Sequence, residues 1–214
     1  MADIDVMGSL FDSVVKTKGK RVVFLPFSET VGDQSAISYP NRFKEKPEHN
    51  PVNSWSRAVC VFADSTEMAK KLAFGGITDL NDTLYIMGQC APGLNTLYSL
   101  DQKSTITASA LVAMLEPYLD SEFPGKVKVY ACHSATGGSS GGDSFAKRLA
   151  DEMRMKSYCE CRYFGYNAQV SGFATKDFKG DANVSDPSGQ HKWTMDGPNT
   201  GKRARAALIE IPMF

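Results

Sequence analysis

The chain has 214 residues and equal numbers of basic and acidic side chains, 24 of each, and 42% of its residues are hydrophobic. This length and composition predict a globular protein with a substantial core and exclude an intrinsically disordered chain. A formal net charge of zero argues against nucleic acid or an anionic membrane as the main partner.

Short apolar runs alternate with helical patterns along the chain, which is typical of an α/β protein. Residues 28–56 and 167–200 are polar and lack such a pattern, so we expect them to be mostly loop. In chain order the predicted elements are a helix at 4–16, strands at 21–27 and 57–63, a helix ending at Phe74, a strand at 82–87, a helix at 108–119, a strand at 126–131, a helix at 143–155, and strands at 162–165 and 205–211.

Residues that favour helix ends support two of these helices. Asp64 or Ser65 can cap the helix that ends at Phe74, and Thr107 can cap the helix at 108–119. Buried strands separated by helices predict right-handed βαβ units and a mostly parallel sheet covered on both faces. We therefore expect a single α/β domain over residues 1–214, built as a three-layer sandwich around a sheet of about six strands.

Two predicted strand ends carry residues that suggest a functional site. Gly88-Gln-Cys-Ala-Pro-Gly follows one strand, and Ala131-Cys-His-Ser-Ala follows the next. Ligands bind at the carboxyl ends of strands in open parallel sheets. There Cys132 could be exposed beside backbone amides that lower its pKa or hold an oxyanion. The alternative is that Cys132 is a buried small hydrophobe.

These two segments also carry a family resemblance. The stretch LYIMGQCAPG, which begins at Leu84, and the stretch VKVYACHSATGG, which begins at Val127, resemble the two catalytic turns of caspase-fold (clan CD) cysteine peptidases. The following SFAKRLA resembles the helix after the nucleophile. The nearest members are the self-processing cysteine protease domains of bacterial toxins and the clostripain-like peptidases, and the resemblance extends over about residues 57–165.

The resemblance implies a caspase-like fold in which Cys132 is the nucleophile and amides near Ser134 and Gly88 stabilise the oxyanion. It also implies a general-base histidine at the position of Gln89. Glutamine cannot accept a proton from a thiol near neutral pH. Either the chain is a natural pseudo-enzyme that keeps its cleft for binding, or glutamine was introduced in place of histidine, or another histidine supplies the base.

None of the three histidines is a strong candidate for that base. His133 follows Cys132 directly and would point to the opposite face if the strand stayed extended. We expect it to pack or form a hydrogen bond beneath the site. His49 lies in a charged loop, and His191 lies in a loop that could reach the top of the sheet.

The resemblance also suggests where a substrate side chain would bind. Aspartates would receive a basic side chain and aromatic residues would form apolar walls, although turn formation is the favoured explanation for any single aspartate. The candidates are Asp143, Asp177, Asp181 and Asp186, with Tyr166 and Trp193 as walls.

Other motifs give weaker indications. Cys90 and Cys132 could form a redox-controlled pair if their strand ends are neighbours. The glycine-rich residues 137–142 lack the lysine of a phosphate-binding loop, and Cys159 and Cys161 have the wrong spacing for zinc, so we expect no cofactor and no metal. The basic cluster of residues 202–205 could bind an anionic small-molecule activator or be a solvated strand edge.

The resemblance therefore implies a cysteine endopeptidase, a thiol hydrolase of the bacterial effector type, that cleaves a protein substrate or itself and is inactive as the chain stands. The alternatives are a non-catalytic peptide-binding pseudo-protease and a thiol-dependent transferase or deamidase. We expect no membrane or nucleic-acid partner. The acidic first residues do not resemble a signal peptide, so a cytoplasmic protein, or one secreted without such a signal, is expected.

Overall fold

The computed structural model describes residues 19–28, 58–99, 101–173 and 192–213, with the backbone alone for residues 171–173, 192 and 193. The strands are β1 (Arg21–Leu25), β2 (Ala58–Phe62), β3 (Thr83–Met87), β4 (Thr96–Tyr98), β5 (Thr105–Thr107), β6 (Lys126–Tyr130), β7 (Arg162–Tyr166), β8 (Val170–Phe173), β9 (Lys192–Thr194) and β10 (Leu208–Ile211). The α-helices are α1 (Glu67–Phe74), α2 (Ala108–Leu115) and α3 (Phe145–Met155), and 3-10 helices occur at Gly197–Asn199 and Ala204–Ala207.

Six of these strands form one sheet in the order β2-β1-β3-β6-β7-β10. The first five are parallel to their neighbours, and β10 is antiparallel to β7. The prediction of an α/β protein with a mostly parallel sheet of about six strands is confirmed. Because Met87 pairs with Tyr130, the carboxyl ends of β3 and β6 lie side by side.

The two faces of the sheet pack against different elements, because successive side chains of a strand point to opposite faces. All three described helices share one apolar cluster with alternate strand residues such as Phe24, Ile86 and Val129. The intervening residues, among them Tyr85 and Tyr130, belong to a second cluster that includes two alanines of the 3-10 helix Ala204–Ala207. This layering is consistent with a three-layer sandwich.

The helix ends show where local sequence signals succeeded and where they failed. The Thr107 side chain accepts a hydrogen bond from Ala110 N at 3.3 Å, so the predicted cap of α2 is confirmed. The predicted cap of α1 is wrong, because Thr66 caps it and the Ser65 hydroxyl instead accepts from Phe62 N. Helix α2 ends at Leu115 rather than at residue 119 because Pro117, two residues later, lacks the N–H that continues a helix.

Other elements were not predicted. The ribbon β8–β9 falls in a segment that we expected to be loop, and the ribbon β4–β5 falls between the strand and the helix predicted on either side of it. Residues 204–207 form a 3-10 helix where a strand was predicted to begin. The predicted helix at residues 4–16 lies outside the described residues, as does almost all of the loop at residues 28–56. Within the described ranges, no helix has the length and apolar character needed to cross a membrane.

Candidate functional site

The loops that follow β3 and β6 bring the two predicted motifs to neighbouring strand ends. Gly88 N donates to Tyr130 O at 3.5 Å, which extends the pairing of the two strands to the point where the motifs begin. Gly88 is required there, since a β-carbon would lie 2.6 Å from the Leu97 side chain and 2.8 Å from Tyr98 O. The structure therefore places residues 88–90 beside Cys132.

Gln89, at the position where the resemblance implies a histidine, is fixed by backbone and side chain. Its N–H and its carbonyl each pair with Tyr98 at 2.8 Å, which attaches the loop to β4. Its side-chain Oε1 accepts a hydrogen bond from Gln102 Nε2 at 2.9 Å. Both partners in this contact are amides, so position 89 supplies no group that titrates near neutral pH.

The Cys132 thiol is partly buried and lies against β8 rather than in open solvent. Its Sγ donates to Val170 O at 3.6 Å and accepts from Val170 N at 3.5 Å. Burial raises the pKa of Cys132, the Val170 N–H acts in the opposite direction, and the Asp196 charge raises it further. The backbone contacts act in the predicted direction, but the loss of hydration outweighs them, so the pKa of Cys132 is raised overall.

Ser134 is a structural residue of the turn that carries Cys132. It is fully buried; its hydroxyl donates to Val129 O and accepts from Tyr166 N, both at 3.0 Å. Its carbonyl accepts from Ala146 N at 2.8 Å, which joins the turn to the start of α3. The Ser134 N–H, predicted as an oxyanion donor, points to Ala131 O at 3.4 Å.

Glycines let the two strand-end loops touch backbone to backbone. Gly93 N donates to Thr136 O at 3.0 Å, and Gly93 has a φ of +72°. A β-carbon on Gly93 would lie 2.4 Å from Gly138 Cα. The glycine-rich segment after Cys132 thus has a packing role that its composition alone did not reveal.

Cys90 lies beside Cys132 along the sheet edge but faces the other apolar cluster. Cys90 packs against the helix-side core, whereas Cys132 packs against the second cluster, and both are free thiols. Burial raises the pKa of Cys90 to about 11, and the neighbouring Cys132 adds to the shift. The redox pair suggested by sequence therefore remains a hypothesis, with no disulfide formed in the structure.

His133 is held by Asp196, which sequence reasoning did not single out. His133 Nε2 lies 2.9 Å from Asp196 Oδ2, and the other ring nitrogen, Nδ1, is buried without a hydrogen-bond partner. The expectation that His133 lies on the opposite side from Cys132 assumed an extended strand. The observed φ of +52° breaks that alternation; Cys132 contacts Val170 of β8, and His133 contacts Asp196, two residues after β9.

Of the remaining predicted residues, the structure describes the side chains of Tyr166 and Asp143. Tyr166 is buried and packs edge-to-face on Tyr130, with ring centroids 5.4 Å apart, so it is a core residue of the second face. Asp143 is exposed before α3, where its carbonyl accepts from Arg148 Nε. Trp193 lies in β9, described by its backbone alone. Residues Asp177, Asp181, Asp186, His49 and His191 lie outside the described residues.

The described side chains include no group of three or more His, Cys, Asp or Glu placed to hold a metal ion. The basic residues Lys202, Arg203 and Arg205 are exposed or nearly so next to the 3-10 helix. Comparison with protein-family models gives no match, and comparison with curated protein sequences gives none either.

Proposed function

We propose that the protein is a cysteine-peptidase-like protein of caspase-like architecture that binds a peptide segment at the ends of β3 and β6. Cys132 would occupy the nucleophile position and Gln89 the base position. With glutamine at position 89, the chain would bind a protein or peptide substrate without efficient hydrolysis. The observation that carries the proposal is the pairing of β3 with β6, which sets the two motifs side by side in the order that the resemblance implies.

Three features of the site argue against cleavage by this chain. The amide of Gln89 cannot take a proton from the thiol, and burial keeps the pKa of Cys132 above its ordinary value. His133 does not replace the missing base, because one ring nitrogen contacts Asp196 and the other is buried. A base presented to a substrate needs an accessible nitrogen within hydrogen-bond reach.

The experiment restores the base and asks whether cleavage follows. Gln89→His, with Gln89→Asn as the matched control, is incubated with a peptide library, and cleavage is read by mass spectrometry. Binding of the same peptides to the parent chain is read by fluorescence anisotropy. We expect cleavage by Gln89→His alone and its complete loss in the double variant Gln89→His/Cys132→Ala. A Gln89→His variant that folds but gives no Cys132-dependent cleavage, together with a parent chain that binds none of the peptides, would overturn the proposal.

The same data distinguish the transferase or deamidase alternative. A deamidase changes a glutamine substrate by about one dalton and leaves the peptide bond intact, whereas hydrolysis produces two fragments. A one-dalton shift that depends on Cys132 in the parent chain would favour the deamidase and contradict the peptidase-like proposal.

A further inference from the structure

A short backbone segment covers the Cys132 thiol. We call residues 168–170 the covering segment. Val170 contacts Sγ through both its N–H and its carbonyl, at 3.5 and 3.6 Å, and Ala168 O accepts from His133 N at 3.0 Å. Ala168 and Val170 are both buried, and they belong to the same apolar cluster against which Cys132 packs. A reagent or peptide that approaches the thiol from this side meets the covering segment first.

One carboxylate joins the covering segment to the turn that carries Cys132. Asp196 Oδ1 accepts from Gln169 N at 2.6 Å, and Asp196 Oδ2 contacts His133 Nε2 at 2.9 Å. Met195 N also donates to Gln169 O at 2.8 Å. Asp196 therefore bonds to the residue after the nucleophile position and to the residue before Val170. Charge-assisted hydrogen bonds of this kind are stronger than neutral ones.

The backbone of His133 shows that this arrangement has an energetic cost. A φ of +52° is uncommon for a residue other than glycine, although histidine adopts positive φ more often than most side chains do. Such a conformation costs about 1–2 kcal/mol and persists where the surroundings hold it. Here His133 N–H donates to Ala168 O of the covering segment, and the imidazole contacts Asp196. The strained residue is therefore held both through its backbone and through its side chain.

We propose that Asp196 is a positioning residue that, through His133, holds the covering segment over Cys132, and that this segment moves away before the thiol meets a peptide. The inference rests on the proposed function in taking Cys132 as the group that faces the bound peptide. Asp196 touches neither substrate nor thiol in this scheme. It sets how often the thiol is accessible.

The experiment measures the alkylation rate of each cysteine in the full chain under native conditions. Two neutral reagents are used, iodoacetamide as the small one and a polyethylene-glycol maleimide as the bulky one, with modification read peptide by peptide in a mass spectrometer. Rates are followed across pH up to the plateau at which the thiol is ionised. The plateau separates access from pKa, because removing the Asp196 charge also lowers the pKa of Cys132.

Matched variants isolate the contact. Asp196→Asn removes the charge, and His133→Asn removes the imidazole while keeping a residue that tolerates positive φ. Asp151→Asn is the control, since Asp151 is 39% exposed against 40% for Asp196 and pairs with Lys147 and Arg154 away from the thiol. Exposed Cys159 and buried Cys161 are internal references within each protein.

We expect the plateau rate at Cys132 to rise at least tenfold in Asp196→Asn and in His133→Asn, with a larger rise for the bulky reagent. The double variant should add little to either single change, because both substitutions break the same contact between Asp196 and His133. Cys159 and Cys161 should keep their rates, and acceleration at Cys161 would identify a variant that has lost its fold. If Asp196→Asn is lost in this way, His133→Asn carries the test.

An unchanged plateau, or an equal rise for both reagents, would overturn the inference. Alkylation uses no peptide, so this result stands apart from the failure of the proposed function, which is read by cleavage and peptide binding. A chain whose cover opens as expected but which binds no peptide would contradict the function and leave the positioning role of Asp196 intact.

Discussion

Replacement of Gly93 by alanine tests whether the two strand-end loops must touch. Gly93 has a φ of +72°, and its added methyl would lie 2.4 Å from Gly138 Cα and 2.9 Å from Gly138 N. Both neighbours are backbone atoms, so a side-chain rotation cannot relieve the contact. The loops after β3 and β6 would have to separate by about an ångström to restore an ordinary van der Waals distance.

The magnitude follows from a comparison with Gly141, which has a φ of +83° and no atom within 4 Å of the place that an added β-carbon would take. Gly141→Ala has the backbone cost alone, about 1–2 kcal/mol, partly offset by the smaller entropy of the unfolded chain. Gly93→Ala adds the cost of overpacking, about 1–3 kcal/mol. We expect Gly93→Ala to lower the free energy of unfolding by about 2–4 kcal/mol, and by at least about 1 kcal/mol more than Gly141→Ala.

Urea unfolding followed by fluorescence and far-UV circular dichroism measures both values. The slope of the free energy against denaturant should stay the same in the two variants, which keeps the comparison valid. Equal destabilisation by the two substitutions would refute the reasoning, because it would mean that Gly93 and Gly138 do not pack against each other. Gly138→Ala is a second test, since its β-carbon would lie 3.4 Å from Gly93 Cα and should be tolerated better.

Three further predictions concern stability. The carboxylate of buried Asp82 accepts hydrogen bonds from three backbone N–H groups at 2.6, 2.7 and 3.0 Å. Asp82→Ala should therefore lower the free energy of unfolding by about 3 kcal/mol or more, whereas Asp120→Ala, at an exposed position, should change it by less than about 1 kcal/mol. Equal effects of the two substitutions in urea titrations would contradict this. Burial raises the pKa of the Cys161 thiol to about 12, so the stability that the protonated thiol contributes is complete below about pH 8.5, the pKa of an unfolded thiol, and is lost as pH rises toward 12. The free energy of unfolding should fall by up to about 1.4 kcal/mol per pH unit in that range, and it should fall less steeply in Cys161→Ala. Parallel curves for the two proteins would be the contrary result. Burial, aided by Lys126 and other cations, lowers the pKa of Lys128 to about 8, so the charged side chain destabilises the fold below pH 8, and this cost disappears as pH rises through about 10.4. Lys128→Met should therefore be about 1 kcal/mol more stable than the parent at pH 7 and should lose that advantage by pH 10. An advantage that grows with pH would refute the prediction.

The main strands could be predicted because they are continuous apolar runs buried on both faces. The segments RVVFL and TLYIM carry this signal, KVKVY shows instead the alternation of apolar and polar residues typical of a strand, and the glycines that follow some strands mark their ends. The ribbons β4–β5 and β8–β9 could not be predicted, because strands of three or four residues with polar side chains have no distinctive pattern. Pairing partners, rather than local preference, stabilise such strands.

The candidate site was partly predictable for the same reason. The positions of Gln89 and Cys132 follow from the strand ends, and local sequence is enough to identify them. Asp196 could not be found in this way, because its contacts to His133 and Gln169 join distant parts of the chain. The raised pKa of Cys132 is also a non-local property, since its largest cause is burial, and the apolar cluster against which Cys132 packs comes from distant parts of the chain.

The hydrogen bonds of Ser134 determine which part of the site can open locally. Its hydroxyl and carbonyl connect the end of β6 to β7 and to the first turn of α3, all inside the core. The contacts of Val170 with Cys132 are two weak sulfur hydrogen bonds, and Asp196 remains 40% exposed to water. Local opening should therefore begin in the covering segment, while the Cys132 thiol keeps its place relative to the sheet. Native-state hydrogen exchange would then rank the Val170 amide well below that of Tyr166 in protection.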